Sequence, residues 1–191
     1  MRIAFKEWAI VVDALGRGEQ IVILRKGGIS EGRQGFALNH PKFLLFPTLF
    51  HQQRESVLPR AQARFDQIAP HFPDQSRLQI EFFAEVIVWK RIEAQSDAER
   101  LRGQHIWRDE VIAQRFEWTK DKNIHALAVR VFRLPQVFQL PMSPRYSGCK
   151  SWVELEEEIS IAGAQPVLNQ TEFDGKLKTF YRALELAPAT G

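Results

Sequence analysis

From Phe5 to Leu15 the apolar residues Phe5, Trp8, Val12 and Leu15 recur at helical spacing, with Lys6, Glu7 and Asp13 falling elsewhere; this predicts a short amphipathic helix. Gly16 and Gly18 close it, because glycine reaches the left-handed backbone that ends many helices. The period then changes. Gln20-Ile21-Val22-Ile23-Leu24 is short, continuous and β-branched, which predicts a strand covered on both faces. Arg25-Lys26-Gly27-Gly28 follows as a basic turn. Gly35 to Leu38 and Lys42 to Phe46 predict two further strands, broken at Asn39-His40-Pro41, and Thr48 is placed to cap a short helix carrying His51 and Arg54. The stretch from Glu19 to Gln52 thus packs a buried strand, a basic turn and two histidines together, and the rest of the chain is expected to cover it.

Pro59, Ala61, Phe65 and Ile68 predict a helix that ends before Pro70. The longest strand signal runs from Leu78 to Ile92. Leu78, Ile80, Phe82, Ala84, Val86 and Val88 share one face at period two, opposite Phe83, Ile87 and Trp89, and such a length invites a bulge. Ser96 is placed to cap a helix through Leu101, and Arg108 to Phe116 reads as another, flanked by Trp107 and Trp118. Ile124 to Leu134 returns to strand, after which Pro135, Pro141 and Pro144 predict an extended connection. Ser151-Trp152-Val153-Glu154 has the Ser-x-x-Glu form of a capping box and predicts an acidic helix through Glu158. Ile159 to Val167 predicts a last strand. Asn169 with Glu172 repeats the capping pattern before the stripe Phe173, Leu177, Phe180 and Leu184, so a helix over about 169–186 is expected on the sheet. The whole, 1–191, reads as one α+β domain with a curved, mixed or mostly antiparallel sheet and short flanking helices.

Composition narrows the class. At 45% hydrophobic and 26% charged residues the chain is ordinary for a globular protein and unlike a disordered one. Lysine and arginine number 26 against 23 acidic residues, a net charge of +3 with a pI near 9.2, which makes the surface mildly attractive to phosphates. The single cysteine, Cys149, excludes an internal disulfide and a Cys-rich zinc site. No window approaches the roughly 20 apolar residues of a membrane span, and residues 1–8 lack the apolar run of a signal peptide, so a cytoplasmic location is expected.

Several groups carry candidate chemistry. Arg25 and Lys26, with the amides of Gly27 and Gly28, form a candidate phosphate grip; the alternative is a hairpin turn with solvated charges. Lys150 and Ser151, at a predicted helix start, are a second anion site, against which stands an ordinary cap with Trp152 in the core. His51 and Arg54 line the candidate site, with His40 secondary; both histidines equally suit a role bridging backbone groups at strand ends. Trp107, at a loop–helix junction beside Arg108, is the tryptophan expected to be partly exposed and able to stack on a base. Cys149 reads as a nucleophile only if a base is near, and as a small buried residue otherwise. A nuclease reading of Pro73-Asp74 with Glu85 and Lys90 fails on spacing, because five positions put Glu85 and Lys90 on opposite faces of a strand. Asp174-Gly175-Lys176 has the right triplet in a predicted helix. No metal site and no cofactor are expected.

The motifs Lys6-Glu7-Trp8-Ala9, Arg25-Lys26-Gly27-Gly28-Ile29, His40 with Phe43 to Thr48, His51-Gln52, His105-Ile106-Trp107 and Gly148-Cys149-Lys150-Ser151-Trp152-Val153-Glu154-Leu155 resemble the bacterial family called domain of unknown function 1802. The resemblance runs from about Phe5 to Leu184. It brings no assigned activity, but members that carry a restriction-endonuclease-like domain imply an accessory or recognition role in restriction–modification, beside such a partner protein. A fold-level analogy with PUA-like barrels, which bind RNA or modified bases, also exists; fold alone does not transfer function. The combined expectation is a nucleic-acid-binding module, DNA favoured over RNA. The alternatives are a hydrolase or phosphoryl-transfer enzyme using His40 and His51, and a protein-interaction module without a ligand.

Overall fold

In the computed structural model, which describes residues 1–26, 38–74, 76–118 and 122–187, the chain opens with a strand and not a helix. Ile3–Trp8 form β1 and Ala9–Gly16 continue directly as α1. The helical spacing of Phe5, Trp8, Val12 and Leu15 therefore spans a strand–helix junction. Trp8 itself is extended, at φ −62° and ψ 137°. α1 ends at Gly16 against the sheet, where a Cβ would lie 2.3–2.8 Å from the Phe82 ring, so only glycine permits this approach.

The strands that follow are β2 (Val22–Arg25), β3 (Lys42–Thr48), β4 (Arg77–Ile92), β5 (Ile124–Pro141), β6 (Trp152–Glu154) and β7 (Gln165–Pro166). The helices are α2 (Pro59–Ile68), α3 (Gln95–Glu99), α4 (Asp109–Glu117) and α5 (Gln170–Ala183), with a 3-10 helix at His51–Ser56. The strands join in one sheet of order β2-β5-β4-β3-β1-β6, with β7 paired to β5. Only β1 and β3 run parallel among these pairs. The sheet is curled, because its two outer strands meet: Arg25 at the end of β2 bonds to Ser151, which leads into β6. The α+β class with a curved, mostly antiparallel sheet is as expected.

The long strand β4 carries the expected irregularity and more. Its register with β5 shifts between Ile80 and Phe82 and again between Val86 and Val88. The first shift exchanges the faces. Leu78, Ile80 and Phe83 pack in one core with Ala4, Leu44 and Phe46, while Phe82 and Ala84 pack in the other with Phe5, Phe43 and α1. The continuous face from Leu78 to Val88 expected from period two is thus corrected, since an irregular step re-aims every later side chain.

Further boundaries differ. β5 continues through Pro141, so the expected Pro-rich connection is part of a strand. Thr48 ends β3 and caps no helix; its hydroxyl donates to the Glu7 carbonyl at 3.2 Å. Ala94, not Ser96, precedes α3. The expected strand from Ile159 shrinks to β7. Asn169 and Glu172 do form the capping box of α5, with Asn169 Oδ1 accepting from the Glu172 amide at 2.9 Å and Glu172 Oε2 from the Asn169 amide at 3.1 Å. Among the described residues no helix is long and apolar enough to cross a membrane.

Candidate nucleic-acid interface

The edges of the curled sheet meet at a polar mouth. Arg25 sends its side chain across it, donating from Nε and Nη2 to Ser151 Oγ at 3.0 and 2.7 Å, with its guanidinium 5.2 Å from the Phe5 ring centroid. Ser151 is wholly buried, and its carbonyl accepts the Lys6 amide at 2.8 Å. Ser151-Trp152-Val153-Glu154 is therefore not a helix start but the approach to β6, with Ala4 opposite Val153 and Phe5 opposite Trp152. The Ser-x-x-Glu pattern was outweighed by an alternating apolar strand with a partner to pair with.

Alternation along β1 decides what lines the mouth. Phe5 and Glu7 point to one face and Lys6 to the other. Glu7 is only 2% exposed; its Oε1 accepts the Trp8 amide at 2.7 Å and its Oε2 has no hydrogen-bond partner among the described residues. Burial pushes the Glu7 carboxyl pKa up, while Arg25 and Arg115 pull it back. The Arg115 guanidinium lies 3.8 Å from the Trp107 ring centroid and 5.1 Å from that of Trp8. Burial lowers its pKa to about 10, opposed by Glu7 and assisted by Arg25. Glu7, Arg25 and Arg115 thus form one charge cluster set among aromatic rings.

On the outer side Lys6 Nζ donates to the Gly148 carbonyl at 3.1 Å and sits 5.7 Å from the Phe46 ring centroid. Its pKa is lowered first by burial, then by the charge of Lys150, with Cys149 acting the other way and Arg25 adding to the depression. Lys6, Arg25 and Lys150 are therefore near neighbours of one sign. Among the described residues none of them has a carboxylate within 4 Å. Trp152 is half-buried here, its ring 5.2 Å from the His40 ring and 4.9 Å from Phe5.

The expected site residues divide. Arg25, Lys150 and His40 come to the mouth; Gly27 and Gly28 lie outside the described residues. Lys26 is buried, and its ammonium donates to the carbonyls of Phe116 at 3.1 Å and Asn123 at 2.8 Å. It ties the end of α4 to the start of β5, which corrects its assignment to the phosphate grip. Lys150 does not precede a helix; its Nζ donates to the Arg145 carbonyl at 2.6 Å. Arg54 is held by Asp66, with two bonds at 2.7 and 2.9 Å, and by Glu55, so it has no free fork for a phosphate. His51 lines a different cleft, with Phe50, Phe72 and Met142.

Trp107 is corrected as well. It is 1% exposed, stacked under Arg115 and edge-on to Trp8 at 4.6 Å, with its Nε1 lacking a hydrogen-bond partner among the described residues. Trp118, at the other end of α4, is the exposed one at 70%. Cys149 is exposed, not buried. No group of three or more potential metal ligands occurs among the described residues, and Asp74 is occupied by Ser76 while Glu85 pairs with Lys42. The mouth residues missed from the sequence are Glu7, Trp8 and Arg115, together with Lys6. Alternation in β1 is the signal for Lys6, Glu7 and Trp8, hidden by the helical spacing across the strand–helix joint, whereas no local pattern points to Arg115.

The chain belongs to the family described as "Domain of unknown function (DUF1802)", whose model matches residues 4–179. Over 108 residues it is 28% identical to "Putative tyrosine phosphatase 067L" of Invertebrate iridescent virus 3, a match covering 51% of this chain and 43% of that protein. The chain thus spans less than half the length of this curated relative. Among solved structures it is similar to the ASCH protein of Zymomonas mobilis, at 12% identity and a TM-score of 0.46, with 93% of each chain covered. A serine-to-alanine mutant of the same protein gives 14% identity and a TM-score of 0.43, covering 93% of this chain and 94% of that one.

Proposed function

We propose that this domain binds nucleic acid, with the phosphate backbone held at the mouth by Lys6, Arg25 and Lys150. The observation that carries the reading is the gathering of three cations, Lys150 and Arg25 both helping to lower the pKa of Lys6, with no carboxylate partner among the described residues. Like charges brought together raise the energy of the free protein, and an anion laid across them lowers it. Glu7 behind them sets a buried opposite charge near Arg25 and Arg115 without reaching the surface. The half-buried Trp152 and His40 rings add apolar faces beside the cations.

The test is anisotropy of labelled DNA and RNA, single-stranded and duplex, across a salt series. Log affinity is expected to fall with log salt at about −0.7 to −0.9 per neutralised phosphate, and Lys150→Ala to weaken all sequences alike and shallow the slope by about one contact. No binding at low salt sinks the proposal. DNA is the favoured polymer in this reading, and the same series decides between DNA and RNA. A place beside a restriction-endonuclease-like partner rests on the family resemblance alone and is tested by co-purification with such a protein. The enzyme alternative loses its pair of bases, because His40 stands against Trp152 while His51 lines the separate cleft.

A further inference from the structure

Beside the mouth runs a cleft of about 630 Å³, between the end of β3, the 3-10 helix, residues 72–74 and Met142. That volume lies within the usual range of small-ligand pockets. Its lining includes Phe46, Phe50 and Phe72, of which Phe50 is 59% exposed and Phe46 is largely buried in the core. Thr48, His51 and Gln52 supply polar atoms along one side. Two contacts join the cleft to the mouth. Phe46 lines it and carries the Lys6 ammonium, and Ser147 lines it next to Gly148, whose carbonyl holds that ammonium.

Arg77 stands in the lining, its Nη1 donating to the neutral amide of Gln139 at 3.2 Å and its charge helping to lower the Asp74 pKa. Asp74 is the one acidic residue among those lining the cleft, and it accepts from both the amide and the hydroxyl of Ser76. The cleft thus combines aromatic residues, hydrogen-bonding groups and the cation of Arg77 in its lining, with Lys6 against Phe46 beside it. A nucleotide in a strand has that shape in complement: a flat base with a polar edge and a phosphate on either side. Resting on the nucleic-acid reading above, we propose that this cleft receives one unpaired base of the bound strand, so that the protein takes single strands in preference to duplex. A base inside a duplex is stacked on both faces and does not reach such a slot without being extruded.

The experiment uses the whole chain with a short single strand bearing 2-aminopurine at one position at a time, its matched duplex, and a single strand with one abasic site. Single strand is expected to bind more tightly than duplex, one 2-aminopurine position to change fluorescence on binding, and an abasic site there to weaken binding. Phe50→Ala is expected to cost roughly 5- to 150-fold in single-strand affinity, the span of one base–aromatic stack, and to narrow the ratio to duplex. Phe50 is exposed, so its loss leaves the fold intact. Equal affinity for both forms, or full single-strand affinity in Phe50→Ala, overturns the cleft proposal. If Lys150→Ala still weakens binding in that case, the phosphate reading stands alone; if no nucleic acid binds the parent protein, both fall.

Discussion

Arg25 and Ser151 lie 126 positions apart, on the opposite outer edges of the sheet, and two hydrogen bonds between their side chains bring those edges together. An open sheet leaves its edges to solvent; here a guanidinium and a buried hydroxyl bridge them at the point where three cations collect.

Ser151→Ala removes the only hydroxyl at that bridge and keeps the size of the residue small. The expected loss is about 1–2 kcal/mol, because a charged donor in a half-buried setting forfeits its acceptor. Urea unfolding reads this as a lower midpoint with an unchanged slope.

Glu7 and Arg115 are expected to behave as a unit. Arg115→Gln removes one of the two cations that offset the burial of the Glu7 carboxylate and leaves Arg25 as the other, and the expected cost is about 1–3 kcal/mol. Adding Glu7→Gln removes the stranded charge, so the double variant is expected to lose less than the two single losses together. A double-mutant cycle by chemical denaturation measures this, and simple additivity would refute the coupling.

His105 gives the stability a pH dependence. It is 3% exposed, its Nδ1 accepts the Trp107 amide at 3.2 Å, and burial lowers its pKa from 6.5 to about 4. A folded-state pKa below the unfolded one means that the unfolded chain binds the extra proton first. The stabilisation is therefore full above pH 6.5 and is lost as pH falls toward 4, by about 3 kcal/mol at 1.36 kcal/mol per unit. His105→Asn is expected to flatten thermal stability over that window. Glu7 works with the opposite sign: its raised pKa makes stability decline as pH climbs from 4.5 through the folded value, so the decline stands out once His105 is replaced.

Gly16→Ala is expected to cost about 1–3 kcal/mol, since the added Cβ meets the Phe82 ring at 2.3–2.8 Å and the end of α1 must lift from the sheet. Circular dichroism melting checks it. Phe82→Leu in the same background is expected to recover part of the loss by making room.

Arg54→Ala is expected to leave nucleic-acid affinity and its salt slope unchanged, because Asp66 and Glu55 already occupy the guanidinium. A fall in affinity matching that of Lys150→Ala would place Arg54 back among the phosphate contacts.

The elements that sequence periodicity located well are those whose pattern is local. The strand before Arg25, the helix from Pro59 and the Asn169 cap depend on neighbours a few positions away. Ser151 failed for the opposite reason. Its segment satisfies a helix signature, but β1 offers it a ladder partner some 150 positions upstream, and that partner is invisible in a window of ten residues. Phe5 and Trp8 misled similarly, since a strand running straight into a helix reproduces helical spacing across the joint. At the site, turn chemistry points to Arg25 but nothing local points to Arg115, because only packing sets an arginine in the last turn of α4 against two tryptophans.

The pairing of β1 with β6 also orders events during synthesis. β1 leaves the ribosome well before β6, and its outer edge stays bare until residues 152–154 follow. Through that interval the nascent chain carries an unpaired strand edge, the surface most prone to join another chain. The contacts that finally cover it are long-range, which slows their formation. A chain cut short before Trp152 would keep that edge permanently, and with it the two halves of the mouth would never face each other.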